Sequence, residues 1–160
     1  MTKKRTARAL RVYVASSWRN VAQPTIVEMI RKAGHEVYDV RNPHQTGRER
    51  GRMGVGFSWS EIDPTPRPWL GERTKAVLEH PIALDGFGSD FDAMHWADVV
   101  VMVQPCGVSA ALELGWAAGN DKMTAVLLAS GEPELMLLMA DLLTTDMAEV
   151  LEFLETRRPR

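Results

Sequence analysis

The chain has 160 residues and a formal net charge of -2, with 45% hydrophobic and 25% charged residues. This composition is typical of a globular protein with a core of its own. Because the net charge is slightly negative, we do not expect nucleic acid as a partner. We do not expect a membrane either, since no apolar run approaches the about 20 residues of a membrane span. Cys106 is the one cysteine, which excludes an internal disulfide, and we expect a cytoplasmic protein without a signal peptide.

The beginning of the chain has the pattern of a β-α-β unit. Residues 9–16, ALRVYVAS, are typical of a strand, and residues 35–40, HEVYDV, are typical of a second one. Between them, residues 23–33 place apolar side chains at the spacing of a helix. This order predicts a parallel sheet. Residues 1–8 are basic, and we expect them to form a flexible, solvated N-terminus.

Residues 42–68 are rich in glycine and proline and have little periodicity. A loop of this length in a compact domain is usually functional or disordered. The segment contains Phe57 and Trp59, whereas disordered linkers usually lack aromatic residues. Two interpretations stay open: an ordered pocket wall in which Phe57 and Trp59 contact a substrate, or a surface flap over the core.

The remainder of the chain alternates between strands and helices. Strands are predicted at residues 99–103, 123–129 and 142–144, and helices at residues 69–80, 90–96, 133–139 and from residue 145 or 146 to about residue 156. We therefore predict an α/β fold: a single domain over residues 1–160 with a doubly wound parallel sheet of about five strands, flavodoxin-like or Rossmann-like, and a long loop insertion at residues 42–68.

Glu113 is an acid within an apolar helix. Residues 97–120, ADVVVMVQPCGVSAALELGWAAGN, combine a strand, a turn with Gly107 and a helix, and ligands collect beyond the carboxyl ends of such strands. Ser109 and Glu113 share one helical face, and we expect Gly107 and Ser109 to contact the substrate. Because a buried carboxylate is costly without a partner, Glu113 is either the chemical centre of a crevice or a solvated side chain on the one exposed face.

Asp90 and Asp92 are the candidate acidic partners of Glu113. Acids near the start of a helix are favoured by its dipole, which makes a capping role one interpretation of Asp90. The other interpretation places Asp90 as a second carboxylate close to Glu113, and two carboxylates flanking a sugar are what glycosidic cleavage needs. Asp92 is a further candidate contact with the substrate.

The turn after the first predicted strand contains Ser17, Arg19 and Asn20. Hydroxyls, free backbone N–H groups and a guanidinium at the start of a helix suit an anion such as a phosphate. An ordinary helix cap with a solvated Arg19 is the alternative.

No cofactor and no metal are predicted. The chain has no Rossmann or P-loop glycine pattern, and its four histidines have no metal-ligand spacing. Cys106 has no histidine at a telling distance in the sequence, and we interpret it as a structural turn residue.

Three segments together resemble the nucleoside 2-deoxyribosyltransferase superfamily, which includes the 2'-deoxynucleoside 5'-phosphate N-hydrolases and the pyrimidine-nucleotide N-glycosidases. They are residues 12–17, VYVASS, residues 90–101, DFDAMHWADVVV, and residues 107–117, GVSAALELGWA. The most specific piece is the glutamate-leucine-glycine sequence that starts at Glu113. The order of helices and strands agrees over most of the chain, but the insertion at residues 42–68 has no match in the family.

The resemblance implies a role for each matching residue. Glu113 matches the nucleophile that attacks the anomeric carbon, and Asp90 matches an acid that positions or protonates the departing base. Tyr13 matches an aromatic residue at the pocket floor. Ser17, Arg19 and Asn20 match the loop that holds the 5' end of the substrate. The family also implies a homodimer or a higher homo-oligomer.

The sequence thus predicts an enzyme that cleaves or transfers the N-glycosidic bond of a nucleoside or nucleoside 5'-monophosphate. Its partner is this small molecule, and Glu113 forms a covalent ribosyl-enzyme intermediate. Two alternatives stay open: a nucleotide-binding or sensing module of the same fold that does not turn over its ligand, and a purely structural oligomeric protein.

Overall fold

The computed structural model describes residues 9–43, 57–64, 71–129 and 133–157. The predicted flexible N-terminus at residues 1–8 lies outside these ranges, and so do most of the insertion at residues 42–68 and the predicted beginning of a helix at residue 69. None of the helices in the described ranges has the length and the apolar character that crossing a membrane would need.

Five parallel strands form one sheet in the order β2-β1-β3-β4-β5. The strands are β1 (Arg11–Ser16), β2 (Glu36–Asp39), β3 (Val99–Val103), β4 (Met123–Leu127) and β5 (Leu142–Thr144). The helices are α1 (Gln23–Lys32), α2 (Glu72–Leu78), α3 (Pro81–Trp96), α4 (Val108–Gly119) and α5 (Met147–Thr156), with short 3₁₀ helices at Trp59–Glu61 and Leu135–Met139. The predicted doubly wound, flavodoxin-like sheet is confirmed.

Side chains alternate between two cores, one on each face of the sheet. On β1, Val12 and Val14 pack with α1 and α5, whereas Tyr13 and Ala15 pack with α3 and α4. All five residues of β3 are buried, as expected for a central parallel strand that is covered on both faces. This arrangement places Tyr13 beneath the helix that holds Glu113.

Helix α3 is longer than predicted. It begins at Pro81, where the Nδ1 atom of His80 accepts a hydrogen bond from the backbone N–H of Ile82 at 3.2 Å. Gly86 and Gly88, which weaken a helix locally, are both buried against neighbouring parts of the fold. The prediction of a helix only at residues 90–96 was therefore wrong, because tertiary packing outweighs the low helix propensity of the two glycines.

The last part of the chain also differs in detail. The predicted helix at residues 133–139 is a 3₁₀ helix, Leu135–Met139, and the final helix is capped by Asp146, whose side chain accepts a hydrogen bond from the N–H of Ala148 at 2.8 Å. The sheet order reverses between β1 and β3, because the chain goes from β1 outward to β2 and then returns to β3. Ligands of doubly wound proteins bind at this point, beyond the carboxyl ends of the strands.

Candidate active site

A cavity of about 550 Å³ lies at this end of the sheet, within the size range of small-molecule sites. Its wall contains two carboxylic acids, Asp90 and Glu113, two serines, and a majority of apolar and aromatic residues. The lining residues are Ser16, Trp18, Val40, Phe57, Trp59, Leu78, Ala83, Leu84, Gly86, Phe87, Asp90, Phe91, Met94, Ser109, Leu112, Glu113 and Trp116.

Glu113 lies in the second turn of α4 and faces the cavity. Burial, followed by the negative charge of Asp90, raises the pKa of Glu113 from 4.5 to about 7, and the nearby Tyr13 hydroxyl opposes this shift. Glu113 is half-buried in the cavity wall, which favours the crevice interpretation over a solvated side chain on an exposed face. Leu114 and Ala117 of the same helix pack into the core, and this packing fixes α4 beside the cavity.

Asp90 lies in the middle of α3, so it does not cap the helix. Its Oδ1 atom accepts a hydrogen bond from the Tyr38 hydroxyl at 3.0 Å, and the same hydroxyl lies 3.0 Å from the Oγ atom of Ser89. Burial raises the pKa of Asp90 from 3.8 to about 6, and the Tyr38 hydrogen bond lowers it. Asp90 and Glu113 line the same cavity, and the charge of Asp90 acts on the Glu113 carboxyl group.

Tyr13 lies next to the two acids but is not part of the cavity wall, although the resemblance implies that it lies at the pocket floor. Its ring is fully buried and stacks on Tyr38 with a centroid distance of 5.5 Å and an interplanar angle of 12°. Burial and then the charges of Glu113 and Asp90 raise the pKa of the Tyr13 hydroxyl far above its usual value. The hydroxyl interacts with the charge of Glu113, and among the described residues it has no hydrogen-bond partner.

Phe57 and Trp59 form an aromatic wall of the cavity, in contact edge to face at a centroid distance of 4.7 Å. Phe57 packs so closely on α3 that a Cβ atom added to Gly86 would lie 2.6 Å from the Phe57 Cβ atom. At the other end of this segment, Asp63 accepts a hydrogen bond from Arg73 of α2 at 2.5 Å. The described part of the insertion is therefore an ordered wall that is anchored at both ends.

A second group of rings lies along α3 and α4. Phe91 stacks on Phe87 at 5.3 Å and contacts Trp116 edge to face at 5.4 Å. Lys122 lies over the outer side of Trp116, with its Nζ atom 5.9 Å from the ring centroid. Aromatic faces on two sides of the cavity suit a planar, aromatic ligand.

Asn20 does not line the cavity, although the sequence predicts it to contact the substrate. It is 2% exposed, and its Nδ2 atom donates to the backbone carbonyls of Val103, Gln104 and Pro105 at 3.3, 3.1 and 3.3 Å. Its Oδ1 atom accepts a hydrogen bond from the N–H of Ala22 at 3.0 Å. Asn20 therefore joins the turns after β1 and β3 from beneath the cavity.

The other predicted contact residues divide into two groups. Ser109 lines the cavity, whereas Ser17, Arg19, Asp92 and Gly107 do not belong to its wall. Arg19 is exposed on the neighbouring turn, and Gly107 is the N-cap of α4. Ser16, the last residue of β1, and Trp18, in the turn that follows, line the cavity instead.

Cys106 is a free, half-buried cysteine close to the acids. Burial, followed by the charge of Glu113, raises the pKa of its thiol, which disfavours the reactive thiolate. Across the four described ranges, no group of three or more His, Cys, Asp or Glu side chains is placed to hold a metal ion.

Tyr38 and Ser89 are site residues that the sequence did not reveal. In HEVYDV, Tyr38 reads as one more apolar strand residue, and Ser89 precedes Asp90 without any motif. The hydrogen bonds of Tyr38 go to Ser89 and Asp90, which are 51 and 52 residues away. Only the fold brings these groups together.

A solved structure with the same fold is that of a 2-deoxyribosyltransferase from the psychrotolerant bacterium Bacillus psychrosaccharolyticus. It is similar to this chain with a TM-score of 0.53 and 18% sequence identity, over 92% of each chain. That protein is described as a biocatalyst for the synthesis of antiviral and antitumoral nucleosides. No protein-family model and no curated protein sequence matches the chain. The resemblance to the deoxyribosyltransferase superfamily is thus confirmed at the level of the fold.

Proposed function

We propose that the protein cleaves or transfers the N-glycosidic bond of a nucleoside or nucleoside 5'-monophosphate. The observation that carries this proposal is the pair of carboxyl groups, Glu113 and Asp90, in one cavity with aromatic walls. The fold shared with a 2-deoxyribosyltransferase supports the same class of reaction. The two acids supply the groups needed on either side of the scissile bond.

In the proposed reaction, an ionised oxygen of Glu113 attacks the anomeric carbon of the sugar. The carbon–nitrogen bond breaks, its electron pair goes to the base, and a glycosyl ester forms on Glu113. Asp90 donates a proton to the departing base or orients it. Because the pKa of Asp90, about 6, lies below that of Glu113, about 7, the reacting form with Glu113 ionised and Asp90 protonated is the minor singly protonated form of the pair. Water then attacks the anomeric carbon to give the free sugar, or a second base does so to give a new nucleoside.

The rings around the cavity support an aromatic base as the leaving group. Phe57 and Trp59 border one side, and Phe91 and Trp116 border another. Stacking of a nucleic-acid base on an aromatic side chain contributes about 1–3 kcal/mol. We propose that the base lies between these walls while the sugar lies over Glu113.

A 5'-phosphate is the part of the proposed substrate with the least support. Arg19, the predicted phosphate contact, does not line the cavity. Ser109, at the beginning of α4, and Ser16, at the end of β1, do line it, and a helix N-terminus favours an anion. Parallel assays with a nucleoside and its 5'-monophosphate decide between the two substrates.

The proposal is tested by incubating the protein with a panel of nucleosides and nucleoside 5'-monophosphates and separating the free base by chromatography. We expect base release by the wild type and a loss of at least about 1000-fold in Glu113→Gln, because the amide is not a nucleophile. Glu152→Gln is the matched control, since Glu152 is exposed on α5, at the opposite face of the sheet. Equal base release by wild type and Glu113→Gln would refute the assignment.

A binding module without turnover is the second candidate. It is favoured by the pKa of Glu113, which burial and Asp90 raise to about 7, because a protonated Glu113 donates a hydrogen bond to a sugar hydroxyl instead of attacking. Calorimetry distinguishes the two functions: this alternative predicts tight nucleoside binding at pH 7 without base release over days.

We also propose that the protein is a homo-oligomer. Large apolar side chains are exposed on α4 and on the 3₁₀ helix Leu135–Met139, including Leu112, Leu135 and Leu138, which are 69%, 75% and 71% exposed. Exposed apolar patches of this kind mark interaction surfaces. Light scattering should give a molar mass at least twice the 17.9 kDa of the chain, and a mass of one chain would refute this.

A further inference from the structure

The Tyr38 hydroxyl occupies a central position between two neighbouring residues of α3. It is fully buried, donates to the Oδ1 atom of Asp90 at 3.0 Å and lies 3.0 Å from the Oγ atom of Ser89. Its ring stacks on Tyr13, which pairs with it across β1 and β2. Both the ring and the hydroxyl of Tyr38 are therefore held in place by the fold.

The proton count of these groups allows one arrangement in both states of Asp90. When Asp90 is ionised, Tyr38 donates its single proton to the Oδ1 atom of Asp90 and accepts a hydrogen bond from Ser89. When Asp90 is protonated on its other oxygen, Tyr38 still donates to Oδ1, since the carbonyl oxygen of a neutral carboxyl group remains an acceptor. The two hydrogen bonds therefore keep their direction, and the proton that Asp90 gains or loses is on the oxygen that Tyr38 does not contact.

We propose that Tyr38, together with Ser89, is the positioning residue that holds the Asp90 carboxyl group in one orientation before and after proton transfer. The second carboxyl oxygen then stays available to the departing base. Tyr38 touches Asp90 and not the substrate, because it does not line the cavity. The role of Asp90 in proton transfer rests on the proposed function, whereas the control of the Asp90 carboxyl group by Tyr38 does not.

Two further groups close to Asp90, on other elements of the fold, interact with it electrostatically. The carboxyl group of Glu113, on α4, interacts with Asp90 by charge, and the Tyr13 hydroxyl, on β1, is influenced by both acids. The hydrogen bond from Tyr38 favours the ionised form of Asp90, against the effect of burial. Removing the Tyr38 hydroxyl should therefore raise the pKa of Asp90.

The test is a carbon-13 NMR titration of the aspartate side-chain carboxyl groups, with the Asp90 signal identified through Asp90→Asn. In Tyr38→Phe we expect the Asp90 midpoint to rise by about one to two pH units, the equivalent of one hydrogen bond to a charged group. An unchanged midpoint would overturn the proposal. Tyr13→Phe is the matched control, because it removes the stacked neighbour's hydroxyl and leaves the Asp90 hydrogen bond in place.

Ser89→Ala provides a second test with the same sign and a smaller effect. Without the Ser89 hydroxyl, Tyr38 loses the hydrogen bond that strengthens it as a donor, so ionised Asp90 is less stabilised and the midpoint should rise by less than in Tyr38→Phe. A midpoint that falls or does not move would contradict this arrangement. This variant also decides the question if Tyr38→Phe does not fold.

The kinetic readout separates this inference from the proposed function. If Asp90 protonates the base, the pH profile of kcat/KM depends on the pKa of Asp90, so Tyr38→Phe should shift this profile toward higher pH, and kcat should change more than KM. If no substrate releases base, the proposed function fails, and the NMR midpoints still decide the role of Tyr38. A shifted midpoint with an unchanged kinetic profile would remove Tyr38 and Asp90 from the proton-transfer step.

Discussion

At the scale of single residues, Glu113 and Asp90 reduce the stability of the fold when they ionise. Burial raises their pKa values to about 7 and about 6, so each acid binds its proton more tightly in the folded than in the unfolded state. The associated stability is fully present below the unfolded pKa values of 4.5 and 3.8, and it is lost as the pH rises through about 6 and about 7. This loss of stability accompanies the proposed reaction, in which the nucleophile Glu113 must be ionised.

Glu113→Gln should consequently stabilise the protein at alkaline pH. We expect its free energy of unfolding at pH 8 to exceed that of the wild type by about 1–3 kcal/mol, because the amide carries no charge into the cavity. The difference should vanish as the pH falls toward 4.5, the unfolded pKa of the acid. Urea unfolding at both pH values measures it, with Glu152→Gln as the exposed control. A variant less stable than wild type at pH 8 would show that Glu113 is stabilised by contacts as an anion.

The sequence reveals a site residue when nearby residues in the chain mark it, and not when its role depends on partners far away in the sequence. Glu113 stands out because it is the one acid in an apolar helix, and strand-helix order places it at the crevice. Tyr38 does not stand out, because its hydrogen bond goes to Asp90 on α3, 52 residues away. Asn20 was predicted as a substrate contact, but its amide is used by carbonyl groups 83 to 85 residues away.

At the scale of elements, Asn20 joins the ends of β1 and β3, and its amide group is the critical feature. Asn20→Asp should destabilise the protein by about 3 kcal/mol at pH 7, because a buried carboxylate has no proton to donate to the carbonyls of Val103, Gln104 and Pro105. Asn20→Ala should cost less, about 1–2 kcal/mol. Thermal unfolding at pH 7 and pH 5 measures both, and the aspartate variant should recover at the lower pH as it becomes protonated. Wild-type stability in both variants would instead indicate a direct role in substrate binding.

The aromatic wall depends on the missing side chain of Gly86. Alanine in a helix is normally favoured over glycine, but here its Cβ atom would lie 2.6 Å from the Phe57 Cβ atom. We expect Gly86→Ala to displace Phe57 and to raise the KM for nucleosides about 5- to 50-fold with a smaller effect on kcat, because base stacking is lost. Steady-state kinetics measure the change.

Gly119→Ala is the matched control for the wall, because an added Cβ atom at Gly119 in α4 has open space around it. This variant should keep the wild-type KM. In a Phe57→Gly background, Gly86→Ala should have no further effect, because the Cβ atom and the ring that it displaces are both gone. A KM unaffected by Gly86→Ala in the wild type would show that the wall does not contact the base.

Elements were predictable from the sequence where the apolar pattern is strong. Val99–Val103 was predicted as β3 with the same ends, since a central parallel strand is apolar on both faces. The beginning of α3 at Pro81 was not predicted, because Gly86 and Gly88 lower the local helix propensity and their compensation comes from packing. The order of elements, in contrast, was enough to predict the doubly wound sheet.

At the scale of the whole molecule, the strand order β2-β1-β3-β4-β5 assembles the site. It brings Tyr38 from β2, Tyr13 from β1 and the helices after β2 and β3 to one edge of the sheet. The acids come from two helices, α3 and α4, on the same face, and the aromatic wall from the insertion closes the cavity above them. A 2-deoxyribosyltransferase has the same fold at 18% identity, so the fold tolerates wide changes of sequence around this edge.

The most direct test of the central claim is intact-mass spectrometry of the protein after exposure to nucleosides that carry fluorine at C2 of the sugar. The fluorine destabilises the oxocarbenium-like transition state and slows the breakdown of a glycosyl ester. We predict a mass increase equal to the sugar without its base, located by peptide mapping on Glu113 and absent from Glu113→Gln. Base release without any such adduct, or an adduct on another residue, would contradict Glu113 as the nucleophile.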